Sequence, residues 1–361
     1  MGVGPGPWAA AYASGDRDAY RRATARTIEA AQIAESLGVD SFWALEDPDG
    51  WDAFAVLSAV AQATERIRLG TGVTNPYYRH PALMAASIAT LDAMSGGRAF
   101  LGLGRGQREW YENALGIAVG NPVHALRETI DLLRQWQQLA PIARSPETAT
   151  EFHVTDWRRG IAPMQEHLPI YLAAAGPQAL RVAGELADGV IFNDLSSRQF
   201  MRDAITRVRD AATAADRDPS AIRFIARADV RITDDPEPLY EQRKSTVAMI
   251  HALPGMERLL VTPGFDTEAI IAEVRRIMHT DDVLAEGGAF ADLREAGDLD
   301  AAKRAIPTAL MEHLVFAGTV PQLQTRLQDL VTIGVTDVFL ALPTDARSIA
   351  PIAELIAPFT G

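Results

Sequence analysis

Residues able to do chemistry fall in five short groups along this 361-residue chain: Glu46-Asp47-Pro48, Thr74-Asn75-Pro76, Gly104-Arg105-Gly106-Gln107, Ala174-Ala175-Gly176-Pro177-Gln178, and Asn193. The group at 174–178 opens a helical segment carrying Ala179, Leu180 and Val182. Small residues at a helix start leave backbone N–H groups open to an anion, and proline at the first helical position loses no hydrogen bond. The group is either a phosphate cradle or an ordinary small-residue loop. Gly104-Arg105-Gly106 lacks the Gly-Lys-Ser/Thr of a phosphate-binding loop and the third glycine of a dinucleotide fingerprint. Arg105 is then either a cation set beside a ligand's phosphate or ring, or a surface arginine.

Glu46 and Asp47 are adjacent, so on a strand they point to opposite sides and at most one faces a site. Asp47-Pro48-Asp49-Gly50 has turn chemistry. That leaves Glu46 as the candidate catalytic acid or base. The seven histidines are scattered without metal spacing. The absence of cysteine excludes disulfides, thiolate metal sites and cysteine nucleophiles.

These groups need elements to hold them. One unit recurs: an amphipathic helix, a capping glycine or small residue, then an apolar run. Ile28, Ala31, Ala34 and Leu37 have helical spacing, Gly38 caps, and Val39–Leu45 reads as a buried strand. Leu323, Leu327, Leu330 and Ile333 repeat the pattern before Gly334 and Val338–Leu342. With Gly2–Gly4, Ile67–Val73, Ala99–Leu103, Ile170–Ala174, Val190–Asn193 and Phe224–Ile232, the chain offers eight strand candidates. The strands are near-continuously apolar, as in a parallel sheet covered by helices. The expected fold is α/β: a (β/α)8 TIM barrel over residues 1–361. A helical insertion at about 240–315 precedes the last βα unit. Its expected helices are Thr267–His279 and Asp300–Phe316, and its loops Pro254–Gly264 and Asp281–Phe290. In such a barrel the chemistry sits at the C-terminal strand ends, where all five groups lie. Ser95-Gly96-Gly97-Arg98 falls at the opposite end, as a tight turn into Ala99–Leu103.

The net charge of −13 argues against nucleic acid or an anionic membrane as partner. The chain start has no basic n-region followed by an apolar run, and no stretch is long and apolar enough for a bilayer. A cytoplasmic protein acting on a small molecule is the expectation.

The block from Leu69 to Gly106 resembles the bacterial luciferase-like flavin and deazaflavin oxidoreductases. Thr71-Gly72-Val73-Thr74-Asn75-Pro76, Arg79-His80-Pro81, Leu91–Arg98 and Leu101-Gly102-Leu103-Gly104-Arg105-Gly106 occur in that family's order. Ala34–Asp40 with Trp43, Ala174–Pro177 and Gly318-Thr319-Val320 are similar as well. The form at 101–106 is most similar to the branch that uses coenzyme F420. The resemblance implies hydride transfer between F420 and a small organic substrate at a C=C, C=N or C=O/alcohol centre. It implies a non-prolyl cis peptide at Gly72-Val73 that backs the deazaflavin ring, with Thr74 beside it and Gly104, Arg105 and Gly106 nearby. The phosphate-bearing tail would meet Ala174, Ala175, Gly176, Pro177 and Gln178. Trp8, Trp43 and Tyr77 would wall the substrate side or fill the core. An FMN-dependent monooxygenase of the same fold and a non-catalytic flavin-binding barrel are the alternatives, and a homodimer is expected as in relatives. Two departures stand out: Glu46-Asp47 replaces the Asp-His pair of glucose-6-phosphate-oxidising relatives, and Gln107 replaces their glutamate.

Overall fold

The structure is a computed structural model that describes residues 2–4, 16–46, 50–138, 140, 142–158, 160–341 and 351–359. Trp8 and Asp47 lie outside the described residues. Strand β1 (Gly2–Gly4) is followed by helix α1 (Arg17–Ser36), β2 (Ser41–Ala44), α2 (Ala53–Ala63), β3 (Arg68–Thr71), α3 (Pro81–Ser95) and β4 (Ala99–Leu103). A π-helical turn at Glu109–Ala114 and helix α4 (Pro122–Gln137) lead to a short antiparallel pair, β5 (Ile142–Ala143) and β6 (Trp157–Arg158). Then come β7 (Ile170–Ala173), α5 (Pro177–Leu186), β8 (Gly189–Phe192), α6 (Arg198–Ala214) and β9 (Arg223–Ile232).

Parallel pairing runs β1-β2-β3-β4-β7-β8-β9, and strand β11 (Asp337–Ala341) pairs with both β9 and β1. The eight strands therefore close into a (β/α)8 barrel, and each of the eight strand candidates becomes a barrel strand. Two pieces were not expected from the sequence. One is the β5–β6 pair. The other is β10 (Phe316–Gly318), which adds to the far end of β9 in parallel, Phe316 opposite Val230.

The stretch between β9 and β10 holds six short helices, and three expectations there need correction. Asp300–Phe316 is two helices, Leu299–Ala305 and Thr308–Leu314, because Pro307 cannot continue the first, and it ends in a strand. Asp281–Phe290 contains most of the helix Thr280–Ala285, and Pro254–Gly264 contains a 3-10 turn at Glu257–Leu260. Thr267–Met278 is helical as expected. No described helix is long and apolar enough to cross a membrane.

Inside the barrel, Trp43, Phe100, Tyr171, Ile191, Ile225 and Phe339 form one buried cluster. They come from β2, β4, β7, β8, β9 and β11, one residue each, at alternating positions. Trp43 stacks on Phe339 at 5.2 Å between ring centroids and lies 4.4 Å from Phe100. This plug fills the barrel and forms the floor of everything above it. Trp43 is 3% exposed and its indole N–H donates to Ser41. The expectation that Trp43 walls the substrate side is therefore corrected: an inward-facing aromatic at mid-strand is plug, since a packed barrel has no hollow at that depth.

The plug also explains two of the glycines. A Cβ at Gly70 would sit 2.1 Å from a Phe100 ring carbon, and one at Gly102 would sit 2.0 Å from the Thr71 carbonyl oxygen. Gly70 leaves room for a ring and Gly102 for close strand approach, neither for a ligand. Gly70→Ala should lower unfolding stability by about 1–3 kcal/mol, the range for overpacking a filled core. Urea denaturation checks this, and an unchanged midpoint would refute the account.

The opposite end is closed by the Ser95–Arg98 turn. Gly96 and Gly97 take positive φ of 68° and 86°. The Arg98 guanidinium donates to the carbonyls of Ala61, Thr64, Ile67 and Ser95 and to the Thr64 hydroxyl, which ties α2, α3 and β3 together.

Candidate active site

The C-terminal ends of the strands surround a cavity of about 970 Å³. Its wall on the β3 side is a backbone feature. The Gly72-Val73 peptide is cis. The Gly72 N–H donates to the Ala44 carbonyl (2.7 Å) and the Val73 carbonyl accepts from the Glu46 N–H (3.3 Å). On the other side the Thr74 N–H donates to Gly102 (2.9 Å) and the Gly104 N–H to Thr74 (2.8 Å). The bulge is thus stitched to β2 and β4 at once. A side chain at Gly72 would be tight, because a Cβ there would lie 3.2 Å from both Phe339 and Trp43. Val73 packs over Gly104, where a Cβ would come within 2.7 Å of it. These contacts leave backbone and the Val73 side chain as the surface the cavity meets on this side.

Next to it, Gly104, Arg105, Gly106 and Gln107 line the cavity. Gly106 is required twice: its φ is +67°, and a Cβ would lie 2.3 Å from the Tyr111 ring. The Tyr111 hydroxyl accepts from the Asn75 side-chain amide (2.6 Å). The Asn75 side-chain Oδ1 in turn accepts from the Tyr77 and Tyr78 N–H groups. Asn75 and Tyr111 both border the cavity.

Thr74 does not line it. The Thr74 side chain is fully buried and its hydroxyl donates to the Glu46 carboxylate. The other Glu46 oxygen accepts from Arg79 Nε at 2.7 Å, and Arg79 Nη2 reaches Asp52 at 2.5 Å. Arg79 also lies over the Phe54 ring at 4.8 Å. Burial disfavours the Arg79 charge, but the Glu46 and Asp52 carboxylates outweigh it and raise its pKa. Glu46 borders the cavity, yet its side chain has no exposure and both oxygens are engaged. The expectation of Glu46 as an available acid or base is corrected: the ion pair makes it an anchor under the bulge. Thr74 is corrected likewise, from cofactor contact to anchor.

Ala174, Ala175, Gly176, Pro177 and Gln178 line the cavity from the β7 side. Gly176 is the N-cap of α5 and has no side chain to cap it, with Pro177 at the first helical position. The first-turn N–H groups of a helix have no intrahelical acceptor. Over this terminus stands Arg258, which has no counterpart among the residues picked from sequence. A Cβ built at Gly176 would be 3.6 Å from Arg258 Nη1, and Arg258 Nε is buried with no hydrogen-bond partner among the described residues. An orphaned guanidinium N–H over an open helix N-terminus fits a phosphate.

Tyr77 is half-buried and absent from the cavity lining; its expected place on the substrate side is corrected. Burial first, then the Glu151 charge, push its hydroxyl up to about 12. Asn75 turns the chain at this point and directs Tyr77 against Tyr111, at 6.3 Å between centroids. Arg105, Arg108, Arg227 and Arg258 line the cavity, with Arg108 paired to Glu112 at 2.8 Å. Glu46 is the one lining acid among the described residues, and it is paired with Arg79.

A family model described as luciferase-like monooxygenase matches residues 7–337. The chain belongs to that family. It is similar to 5,10-methylenetetrahydromethanopterin reductase of Methanolobus tindarius, at 31% identity over 314 residues, covering 87% of this chain and 89% of that one. It is 30% identical over 226 residues to the F420-dependent glucose-6-phosphate dehydrogenase of Mycolicibacterium smegmatis, covering 58% of this chain and 66% of the other. The solved structure of the coenzyme F420-dependent tetrahydromethanopterin reductase from Methanopyrus kandleri superposes with a TM-score of 0.70. It has 25% identity and covers 92% of this chain and 95% of that one.

Two residues of this luciferase-like site escaped sequence reasoning for different reasons. Arg227 had a signal: Arg227, Asp229 and Arg231 alternate with Ala228 and Val230 along a barrel strand. Charges at that spacing face one side. Arg258 had none, because it stands in the insertion, far along the chain from Gly176.

Proposed function

We propose that this protein is an oxidoreductase that binds coenzyme F420 and exchanges hydride between it and a small organic substrate. One observation carries the reading: the backbone wall at Gly72-Val73 and the open helix N-terminus at Gly176 under Arg258 line one arginine-rich cavity. That pairing suits a cofactor with a planar ring at one end and a phosphate at the other. The names of the similar proteins support F420 in particular. In this reading Gly72 and Val73 back the ring, and Gly104, Arg105 and Gly106 flank it. The segment 174–178 and Arg258 hold the phosphate, and Glu46, Thr74 and Arg79 are positioning residues. When bound, F420 supplies hydride exchange at C5 of its ring.

The family model's own description favours FMN-dependent monooxygenation as the second reading. Fluorescence titration with each cofactor separates them. Saturable F420 binding with weak or no FMN binding is expected, and the reverse would overturn the proposal.

We also read the protein as a homodimer. Helices α2 and α3 pack side by side, and their one charged residue, Asp92, is fully buried. The outward positions are Ala55, Gln62, Leu83, Ala86, Thr90, Ala93 and Met94. Light scattering should give twice the chain mass, falling to one for Ala86→Glu; a wild-type monomer would sink this reading.

A further inference from the structure

We propose that Arg275, which does not itself border the cavity, is a positioning residue: paired with Glu257, it sets the turn that aims Arg258 at Gly176. The proposal rests on the F420 reading above, in which Gly176 and Arg258 hold the cofactor's phosphate.

Arg275 stands on the helix Thr267–Met278, whose Ile271, Val274 and Met278 are buried. That apolar face docks the helix and fixes the root of the arginine. The neighbouring Arg276 pairs with Glu273 on the same helix. Arg275 instead reaches another segment of the insertion. Its Nε donates to the Ala252 carbonyl at 2.6 Å, and its Nη2 to the Leu253 carbonyl at 3.2 Å and the Glu257 carboxylate at 2.8 Å. The same Glu257 oxygen accepts from the Gly255 N–H at 2.8 Å. One guanidinium thus ties down residues 252, 253 and 257, and through the carboxylate it holds Gly255.

These are the residues that place Arg258. Its guanidinium meets a glycine at each Nη atom: a Cβ at Gly176 would be 3.6 Å from Nη1, and one at Gly255 would be 3.3 Å from Nη2. Gly255 has φ of +84°, which favours glycine there in any case. Glu257 immediately precedes Arg258, so the carboxylate that holds Gly255 also belongs to the residue that fixes the root of the Arg258 side chain. Pro254, Gly255, Met256, Arg258 and Leu259 border the cavity, whereas Glu257 and Arg275 do not. The pair acts from behind the turn.

The arrangement bears on affinity as well as on folding. Ordering a long arginine side chain when a ligand binds costs conformational entropy. A turn held in place beforehand reduces that cost and raises affinity. The segment also has an attachment that does not involve Arg275. The Ser197 N–H donates to the Leu259 carbonyl at 2.8 Å and the Ser197 hydroxyl to the Val261 carbonyl, and Leu259 and Leu260 are buried. Loss of Arg275 therefore leaves the segment docked but loosens the turn at 252–257, and with it the aim of Arg258.

The test is a double-mutant cycle read by F420 fluorescence titration of the full chain. Arg275→Gln should weaken F420 binding about 5-fold or more, with partial recovery in Arg275→Lys, which keeps the charge beside Glu257. In an Arg258→Gln background the same change should alter the affinity by less than about 2-fold, because the group it positions is gone. A purely structural arginine would weaken binding equally in both backgrounds. That additive result, or wild-type affinity in Arg275→Gln, would overturn the proposal. Crystal structures of ligand-free wild-type and Arg275→Gln protein give a reading that needs no cofactor. The Arg258 guanidinium should lie over Gly176 in the first and be displaced from it in the second, and the same position in both would also overturn the proposal. Should Arg275→Gln fail to fold, Glu257→Gln takes its place in both experiments, since it breaks the same ion pair and keeps an oxygen for the Gly255 N–H. Wild-type protein that binds no F420 would refute the cofactor reading alone, and the two crystal structures would then decide the role of Arg275.

Discussion

Arg258→Gln should weaken F420 binding about 10–100-fold while leaving the unfolding midpoint nearly unchanged. The reason is local. Arg258 Nε has no hydrogen-bond partner among the described residues, and its guanidinium lies over the open N-terminus of α5 at Gly176. Hydrogen bonds to a charged group contribute about 1.5–3 kcal/mol each, and each 1.4 kcal/mol is about tenfold in affinity. Removing the side chain deletes those bonds without stranding a protein partner, so folding is spared. Arg258→Lys should recover part of the loss, because it keeps the charge and loses the fork. Binding should also weaken with added salt, as it does for partly exposed charge pairs. Fluorescence titration reads all three effects. An Arg258→Gln variant with wild-type affinity would remove the phosphate site from Gly176.

Arg79→Met should have the opposite profile, a large loss of stability. Glu46 has no side-chain exposure and loses the cation it pairs with among the described residues in that variant. Breaking a buried ion pair from one side costs about 3–5 kcal/mol, because the remaining charge stays buried and uncompensated. The double variant Glu46→Gln with Arg79→Met should be more stable than Arg79→Met alone, since no charge is then stranded. Urea unfolding of the three proteins checks this. If Arg79→Met unfolds within about 1 kcal/mol of wild type, the anchor role of the Glu46–Arg79–Asp52 group is wrong. The same change should also impair F420 binding, because Thr74 and Glu46 sit directly under the bulge at Gly72-Val73.

The two outcomes illustrate what residue type alone conveys. Glu46 drew notice as a carboxylate at a strand end, which is where a barrel keeps its chemistry. Its partner Arg79 lies 33 residues away, and nothing local signals that the two meet. The pairing turns a candidate proton carrier into a fastener. Trp43 went the same way: an aromatic near a strand end fits a substrate wall or a core equally, and only its stacking on Phe339 and Phe100 decides. At Gly70 and Gly102 the space a side chain would need is taken by Phe100 and the Thr71 carbonyl, neighbours that residue type alone does not reveal.

The sequence by itself determined the barrel. Apolar runs of strand length, amphipathic helices with glycine caps and the spacing between them are local properties, and each strand candidate carried its own. The same holds for Gly106 beside the site and for the small residues at 174–178, whose backbone demands are written in their own type. Tertiary structure decided the rest. Which charges meet, as in Glu46 with Arg79, depends on side chains brought together by closure of the ring. Which cations reach the cavity, Arg227 from β9 and Arg258 from the insertion, depends on strand phase and on a long excursion of chain. Contacts of that kind have no signature at short range, because the residues that make them are neighbours only in the folded protein.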